Sequence, residues 1–216
     1  WIEDAKAVLL TWFAGQEFGN ALVDILTGEI NPSGKLSTSF PRSIEDTPAY
    51  KCYPGTNQQM NYEEKLLVGY RWYDKASVPA LFPFGHGLSY THFQYSNLEV
   101  QVNERVEVSC IFIVENIGAV IGAEVSQCYV AFEHIDEMEP IKTLQGFTKE
   151  RIDVHQHREI KINLTARNFS YWDVSTQTWK IRPGSYEILI GSSASNIHLR
   201  KTIMLEQAHE VLDPLV

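Results

Sequence analysis

Long apolar runs are missing from this 216-residue sequence. Nothing in it approaches the roughly 20 consecutive apolar residues that a membrane helix needs, so no membrane partner is expected. Basic residues are the minority: 18 Lys and Arg stand against 27 Asp and Glu, a net charge of −9. An acidic surface repels phosphate backbones, which argues against a nucleic-acid partner. Cysteine is scarce. Cys52, Cys110 and Cys128 are odd in number and match no zinc spacing. Cys110 and Cys128 fall inside apolar strand patterns and read as buried thiols, with one disulfide left open. No cofactor or metal motif is visible. There is no recognisable secretory leader, but the chain starts with Trp1 rather than Met. The N-terminus therefore reads as cut, and the compartment stays open.

What is present is globular. Apolar residues make up 44% and charged residues 21%, so disorder is not the default reading. The length suits one large domain or two modest ones. Residues 7–13 form a short apolar run, expected to be a strand buried on both faces as in a parallel sheet. Over 16–27 the period changes. Phe18, Ala21, Leu22, Ile25 and Leu26 recur at helical spacing, and Gly28 follows as a C-cap. Turn residues at 30–34 lead to an alternation of Leu36, Thr38 and Phe40, closed by Pro41. Strand, helix, strand is a βαβ unit. One such unit cannot cover both faces of a parallel sheet, so the rest of that sheet is expected upstream of Trp1 or in another chain.

Residues 42–61 read as an irregular loop, 66–73 as a strand with aromatic faces, and 79–93, with Pro79, Pro83, Gly85 and Gly87, as a rigid connecting segment. From about Asn97 the texture is all-β. Val106 to Val114, Ser126 to Val130, Ile160 to Leu164, Tyr186 to Ile190 and Leu199 to Leu205 alternate between apolar and other positions. Turns such as Asn116-Ile117-Gly118 and Arg182-Pro183-Gly184 separate them. Short alternating strands over roughly 100 residues suggest an immunoglobulin-like sandwich. The final stretch, 207–216, reads as a loose tail.

Several strings carry a family resemblance. They are Gly15-Gln16-Glu17-Phe18-Gly19-Asn20-Ala21-Leu22 with Asp24, Asn31-Pro32-Ser33-Gly34-Lys35-Leu36, and Phe40-Pro41. They continue with Tyr62, Glu64, Val68-Gly69-Tyr70-Arg71, Tyr73 and Asp74, then Leu81-Phe82-Pro83-Phe84-Gly85-His86-Gly87-Leu88-Ser89-Tyr90-Thr91 with Phe93. The distal half adds Asn116 with Gly118, Gly122 with Glu124-Val125, Leu144 with Gly146-Phe147, Tyr171 with Asp173, and Pro183-Gly184 with Tyr186. In this order they resemble the C-terminal part of glycoside hydrolase family 3, of the β-glucosidase type, with its fibronectin type III-like domain. Two positions depart from the family pattern: Ala14 stands where Pro is usual and Lys65 where Gly is usual.

The resemblance implies a fold and a chemistry. The fold expected is α/β, the incomplete C-terminal part of an α/β sandwich domain, followed by an all-β immunoglobulin/fibronectin III-like sandwich. The boundaries expected are 1–78 for the α/β part, 79–96 for the connecting segment, 97–206 for the fibronectin type III-like domain and 207–216 for the tail. The chemistry implied is retaining hydrolysis of terminal β-D-glucosyl residues, which needs two carboxyl groups about 5–5.5 Å apart. In the family the nucleophile is an Asp on an N-terminal TIM-like barrel, and the acid/base is usually a Glu in a loop upstream of the Gly15-Gln16-Glu17 segment. Both positions fall before Trp1, and a barrel alone takes about 250 residues. No catalytic, substrate-binding or metal residue is therefore assigned in this chain. A β-glucoside or oligosaccharide is expected to bind through the missing barrel. The alternatives are a carbohydrate- or protein-binding structural module without catalysis, and a β-xylosidase-type parent.

Several individual residues invite other roles. Glu17, near a helix N-terminus, suits a cap or domain-interface acceptor better than a proton donor. Glu63 and Glu64 are adjacent, so on a strand they point to opposite faces and read as solvated or salt-bridged. Arg71, flanked by aromatics, is a candidate partner for a buried carboxylate. The 82–91 segment reads as a wedge between two domains rather than a ligand-gripping loop. His155 and His157 lack a third metal ligand and read as solvent-exposed. Trp172 and Trp179 read as core or hairpin packing rather than a sugar-stacking platform. Asn163 and Asn168 head glycosylation sequons.

Overall fold

The computed structural model describes residues 2–55, 57, 59–133 and 136–206, together with the backbone of 209–211. Two regions differ in kind. The distal one is a sandwich of two antiparallel sheets. One sheet holds β1 (Phe93–Val102), β2 (Val108–Asn116) and β5 (His157–Leu164), in the order β1-β2-β5. The other holds β3 (Gly122–Phe132), β4 (Lys142–Ile152), β8 (Gly184–Gly191) and β9 (Ile197–Leu205), in the order β4-β3-β8-β9. Three strands facing four is the fibronectin type III arrangement of the immunoglobulin-like sandwich.

The alternation read from the sequence sets which side chains face inward. Val108, Cys110, Phe112 and Val114 of β2 are buried, and so are Ile160, Ile162 and Leu164 of β5. They meet Cys128 and Val130 of β3 and Tyr186, Ile188 and Ile190 of β8 in one continuous core. Each fully buried aliphatic or aromatic side chain there contributes about 1.5–3 kcal/mol of transfer free energy. Cys110 and Cys128 are free, buried thiols, and Cys52 is a free, half-buried one. Tyr186 forms a tyrosine corner. Its hydroxyl donates to the Arg182 carbonyl at 2.9 Å, which fixes the turn into β8. Burial pushes that phenol up to about 12.

A small third sheet has the order β10-β7-β6, from β6 (Ser170–Asp173), β7 (Thr178–Ile181) and β10 (His209–Val211). Part of the expected loose tail is thus a strand, antiparallel to β7. The free edge of β7 offers unpaired N–H and C=O groups, and that edge captures it. The rest of the expected tail lies outside the described residues.

The proximal region departs further from expectation. The helix is there, as α1 (Phe18–Thr27), ended by Gly28 at φ 81° in the left-handed region. Residues 7–13 form no strand. A parallel strand exists only beside neighbours, and none of the described residues supplies one. Residues 36–40 do not complete a parallel crossover. They run antiparallel to 81–86 instead: Leu36 N–H donates to His86 O, Gly85 N–H to Leu36 O, and Phe40 N–H to Phe82 O, at 2.7–2.8 Å. Residues 66–73, read as a strand, contain the start of α2 (Tyr70–Ala76). The aromatics there, Tyr70 and Tyr73, sit three apart and share a helix face. Tyr70 packs on Phe84 and Tyr129, while Tyr73 is buried.

The two regions meet at a joint built from the strings the sequence singled out. Lys35 bridges Glu124 of β3 at 3.2 Å and donates to Gly87 O at 3.1 Å. Glu124 also accepts from the Tyr95 hydroxyl at 3.0 Å. Asn31 donates to Ile121 O and accepts from Tyr90 N–H, both at 2.9 Å. Buried Gln127 donates to Gly85 O and Ser192 O and accepts from the Tyr129 hydroxyl. Gly87 has no alternative, because a Cβ there would lie 2.1 Å from Gly34 O. Asn116 uses both ends of its amide. Its Oδ1 accepts from Thr91 and Gly118, and its Nδ2 donates to Val120 O and Ile152 O. Every one of these polar groups is paired, as burial requires.

Candidate functional site

Two depressions in the proximal region are the places to look for chemistry. The first is a cleft of about 540 Å³ between residues 9–16 and α1. Leu9, Ala21, Leu22 and Ile25 make its walls, and Thr11, Gln16 and Glu17 are its main polar members. Glu17 occupies the N-cap position of α1 but makes no side-chain cap bond. Its carboxylate instead accepts from Asn20 Nδ2 at 2.6 Å. Among the described residues it is the one carboxylate lining this cleft, so they supply no carboxyl pair there of the kind retaining hydrolysis needs.

The second depression, about 380 Å³, lies between the 45–67 loop, α2 and Met138. Glu45, Asp46, Glu63 and Glu64 line it beside Lys51 and Cys52, with Leu67, Trp72 and Val78 as apolar members. Glu63 and Glu64 are not on a strand, because the chain turns at 63–66 before α2. Both therefore face one depression, contrary to the opposite-face expectation. Backbone N–H groups and Ser43 hold the Glu45 carboxyl below its usual range, so it is an acceptor at neutral pH rather than a proton donor. Burial and the Glu63 carboxylate push the Cys52 thiol up, which keeps it protonated and poorly nucleophilic. Glu64 Oε2 is buried and bonds to none of the described residues. Sequence reading missed this grouping. Its members are scattered along the chain, and no spacing rule joins them.

The remaining candidates are structural. Arg71 lies over the Tyr70 ring at 6.0 Å and has no carboxylate at ion-pair distance among the described residues. Phe82 packs on Phe40 and His86 within the proximal region, while Phe84 stacks on Tyr70 and packs against the Tyr129, Leu189 and Ala194 cluster of the sandwich. His155 lies in the turn before β5 and His157 opens that strand, both exposed. Among the described residues no group of three or more His, Cys, Asp or Glu is placed to hold a metal. Trp172 and Trp179 are direct cross-strand partners of the β6–β7 hairpin. Their rings are tilted by 60°, and the Arg167 guanidinium covers Trp179, so they form no flat platform. Asn163 points outward on β5. The Asn168 amide is spent on the 165–168 turn and on Gln145. No described helix is long and apolar enough to cross a membrane.

A short α/β segment, a Lys–Glu joint and a three-on-four sandwich make up a two-part module. Comparison with known proteins identifies it. Residues 1–90 match the glycosyl hydrolase family 3 C-terminal domain, and residues 124–194 match the fibronectin type III-like domain. The chain belongs to glycoside hydrolase family 3, and these two domains of the family are what it carries. It is 37% identical over 98% of its length to thermostable β-glucosidase B of Acetivibrio thermocellus, of which it spans 28%. It is 39% identical over 96% of its length to probable β-glucosidase K of Emericella nidulans, of which it spans 24%. Among solved structures, β-glucosidase 3B of Thermotoga neapolitana in complex with α-D-glucose superposes with a TM-score of 0.86 at 36% identity, over 94% of this chain and 28% of that one. The Kluyveromyces marxianus β-glucosidase superposes with a TM-score of 0.92 at 32% identity, over 97% and 25%. The chain thus spans about a quarter of the relatives it matches.

The Lys65 departure acquires a physical meaning. Lys65 sits at φ 48°, in the left-handed region that glycine enters without cost and other residues enter at about 1 kcal/mol or more.

Proposed function

We propose that this chain is the rear portion of a retaining β-glucosidase that removes terminal β-D-glucosyl residues. The nucleophile and the acid/base are then carried by residues outside it. The observation that carries this reading is sustained identity, across almost the whole chain, to β-glucosidases about four times as long. The exposed apolar surface of the proximal region supports it. Phe13 is fully exposed, Leu26 is 70% exposed and Trp12 55% exposed, an uncovered surface of the kind that marks an interface. In this reading, the rest of the α/β domain covers that surface. The division into 1–78, 79–96, 97–206 and 207–216 belongs to the same proposal, with the 36–40/81–86 ladder as the brace between its parts.

The test is hydrolysis of an aryl β-D-glucoside. The 216-residue chain is expected to give no turnover above background, and the longer polypeptide of the same gene is expected to give turnover. Robust hydrolysis by the chain alone overturns the placement of the carboxyl pair. An inactive longer polypeptide favours the binding-module reading, and preference for an aryl β-xyloside redirects the substrate.

A further inference from the structure

The sandwich core holds two reactive groups that the proposed hydrolysis does not use. Cys110 of β2 and Cys128 of β3 belong to opposite sheets, and both are 0% exposed. Two strand registers bring them face to face. In one sheet Cys110 lies opposite Ile162 of β5, and in the other Cys128 lies opposite Gly146 of β4. Ile162 meets Gly146 across the core, because a Cβ on Gly146 would lie 2.8 Å from Ile162 Cγ2. One row therefore crosses both sheets, with Ile162 over Gly146 and, beside them, Cys110 over Cys128. The missing Cβ lets the sheets come closer in this row than two facing side chains permit. A cross-sheet disulfide needs that closeness, since its Cα atoms lie within about 7 Å of each other. The two thiols are hydrogen-bonded to each other. Cys52 stands apart, in the depression beside α2.

We infer that Cys110 and Cys128 form a redox clamp: a hydroperoxide oxidises the dithiol to a disulfide that ties the two sheets of the sandwich together. The hydrogen bond between the thiols sets their roles. With Cys128 donating, it holds the Cys110 thiol below its ordinary value against the opposing effect of burial, and it pushes Cys128 up, with burial adding. Cys110 is then the sulfur that ionises first and attacks. Its thiolate takes one peroxide oxygen, the O–O bond breaks, and Cys110 becomes a sulfenic acid. The Cys128 sulfur attacks that sulfur, the S–S bond forms and the S–O bond breaks. Both thiol protons end in water. With hydrogen peroxide, two thiols and one peroxide give one disulfide and two waters, and two electrons pass from sulfur to oxygen. A peroxide is small and uncharged, so a brief local opening admits it where a bulky disulfide reagent is excluded. The bond encloses residues 111–127, and cross-linking a loop of that length lowers the unfolding equilibrium constant by about 100-fold.

Treatment of the 216-residue chain with hydrogen peroxide, then alkylation of the remaining thiols in urea and peptide mapping, tests the clamp. A peptide pair joined through Cys110 and Cys128 is expected, with Cys52 outside the link. In urea unfolding, the oxidised chain is expected to have an unfolding equilibrium constant at least about tenfold below that of the reduced chain. Dithiothreitol in the same urea series is expected to abolish that gain, and Cys110→Val is expected to show no gain on oxidation. Full alkylation of both core thiols, a link from Cys52 to either of them, sulfinic acid without a link, or a linked chain no more stable than the reduced one overturns the clamp. If Cys110→Val does not fold, the dithiothreitol series on the natural sequence decides, and a gain that survives the reductant overturns the inference.

Discussion

The sandwich and the proximal region both carry large apolar side chains, with opposite fates for them. Phe112, Ile188 and Val114 are 0% exposed, whereas Phe13 is fully exposed. The sandwich closes on itself because its two sheets face each other across one core. The proximal region has one 10-residue helix, one 7-residue helix and a two-stranded ladder, too few layers to cover its own apolar faces. Apolar sequence is therefore evidence of burial somewhere, and the folded chain shows whether it is buried here.

That contrast can be broken or sharpened by substitution. The largest effect is expected from Phe112→Ala, which opens a cavity in the closed core and costs about 3–5 kcal/mol. Leu26→Ala on the exposed face is expected to stay within about 0.5 kcal/mol in this chain. Urea unfolding of both variants checks the pair, and equal losses would erase the distinction between the regions. Next comes Gly85→Ala at the joint. Gly85 has φ 79°, and a Cβ there would meet Gln127 Oε1 at 2.1 Å, so a loss of at least about 2 kcal/mol is expected. Thermal unfolding with probes in both regions would show whether that loss spreads into the sandwich.

Smaller effects sharpen the picture within each region. Tyr186→Phe removes the corner bond to Arg182 O and is expected to cost about 1 kcal/mol, read from the urea midpoint. Lys65→Gly relieves about 1 kcal/mol of left-handed strain and returns part of it as unfolded-state entropy. A net gain of about 0.5 kcal/mol is expected. A loss on that substitution would mean that the Lys65 side chain makes contacts outweighing its backbone strain.

The sandwich was legible because alternation is its own signature. Val108 to Val114 and Tyr186 to Ile190 each put every second side chain inward, and the register follows. The β4 strand was missed because its burial pattern is mixed. Only Ile152 of its 11 residues is buried. The proximal region was legible in motif and poorly legible in structure. Its strings gave the family, but Tyr70 to Tyr73 fit a strand and a helix alike, and the contacts of Tyr70 with Phe84 and Tyr129 favour the helix. At the candidate site, Glu63 and Glu64 could be found individually. Their convergence with Glu45 and Asp46 depends on a loop path that no spacing encodes.

By itself the sequence determined β2, β3, β5, β8 and β9 of the sandwich, a helix within 16–27 with its Gly28 stop, and the family resemblance. These rest on periods and turn residues read within a few neighbours along the chain. Tertiary structure alone decided that residues 36–40 pair with 81–86, that Lys35 meets Glu124, and that β10 joins β7. Each of those joins groups far apart in sequence, and a buried polar group or an open strand edge takes the partner that the fold brings to it.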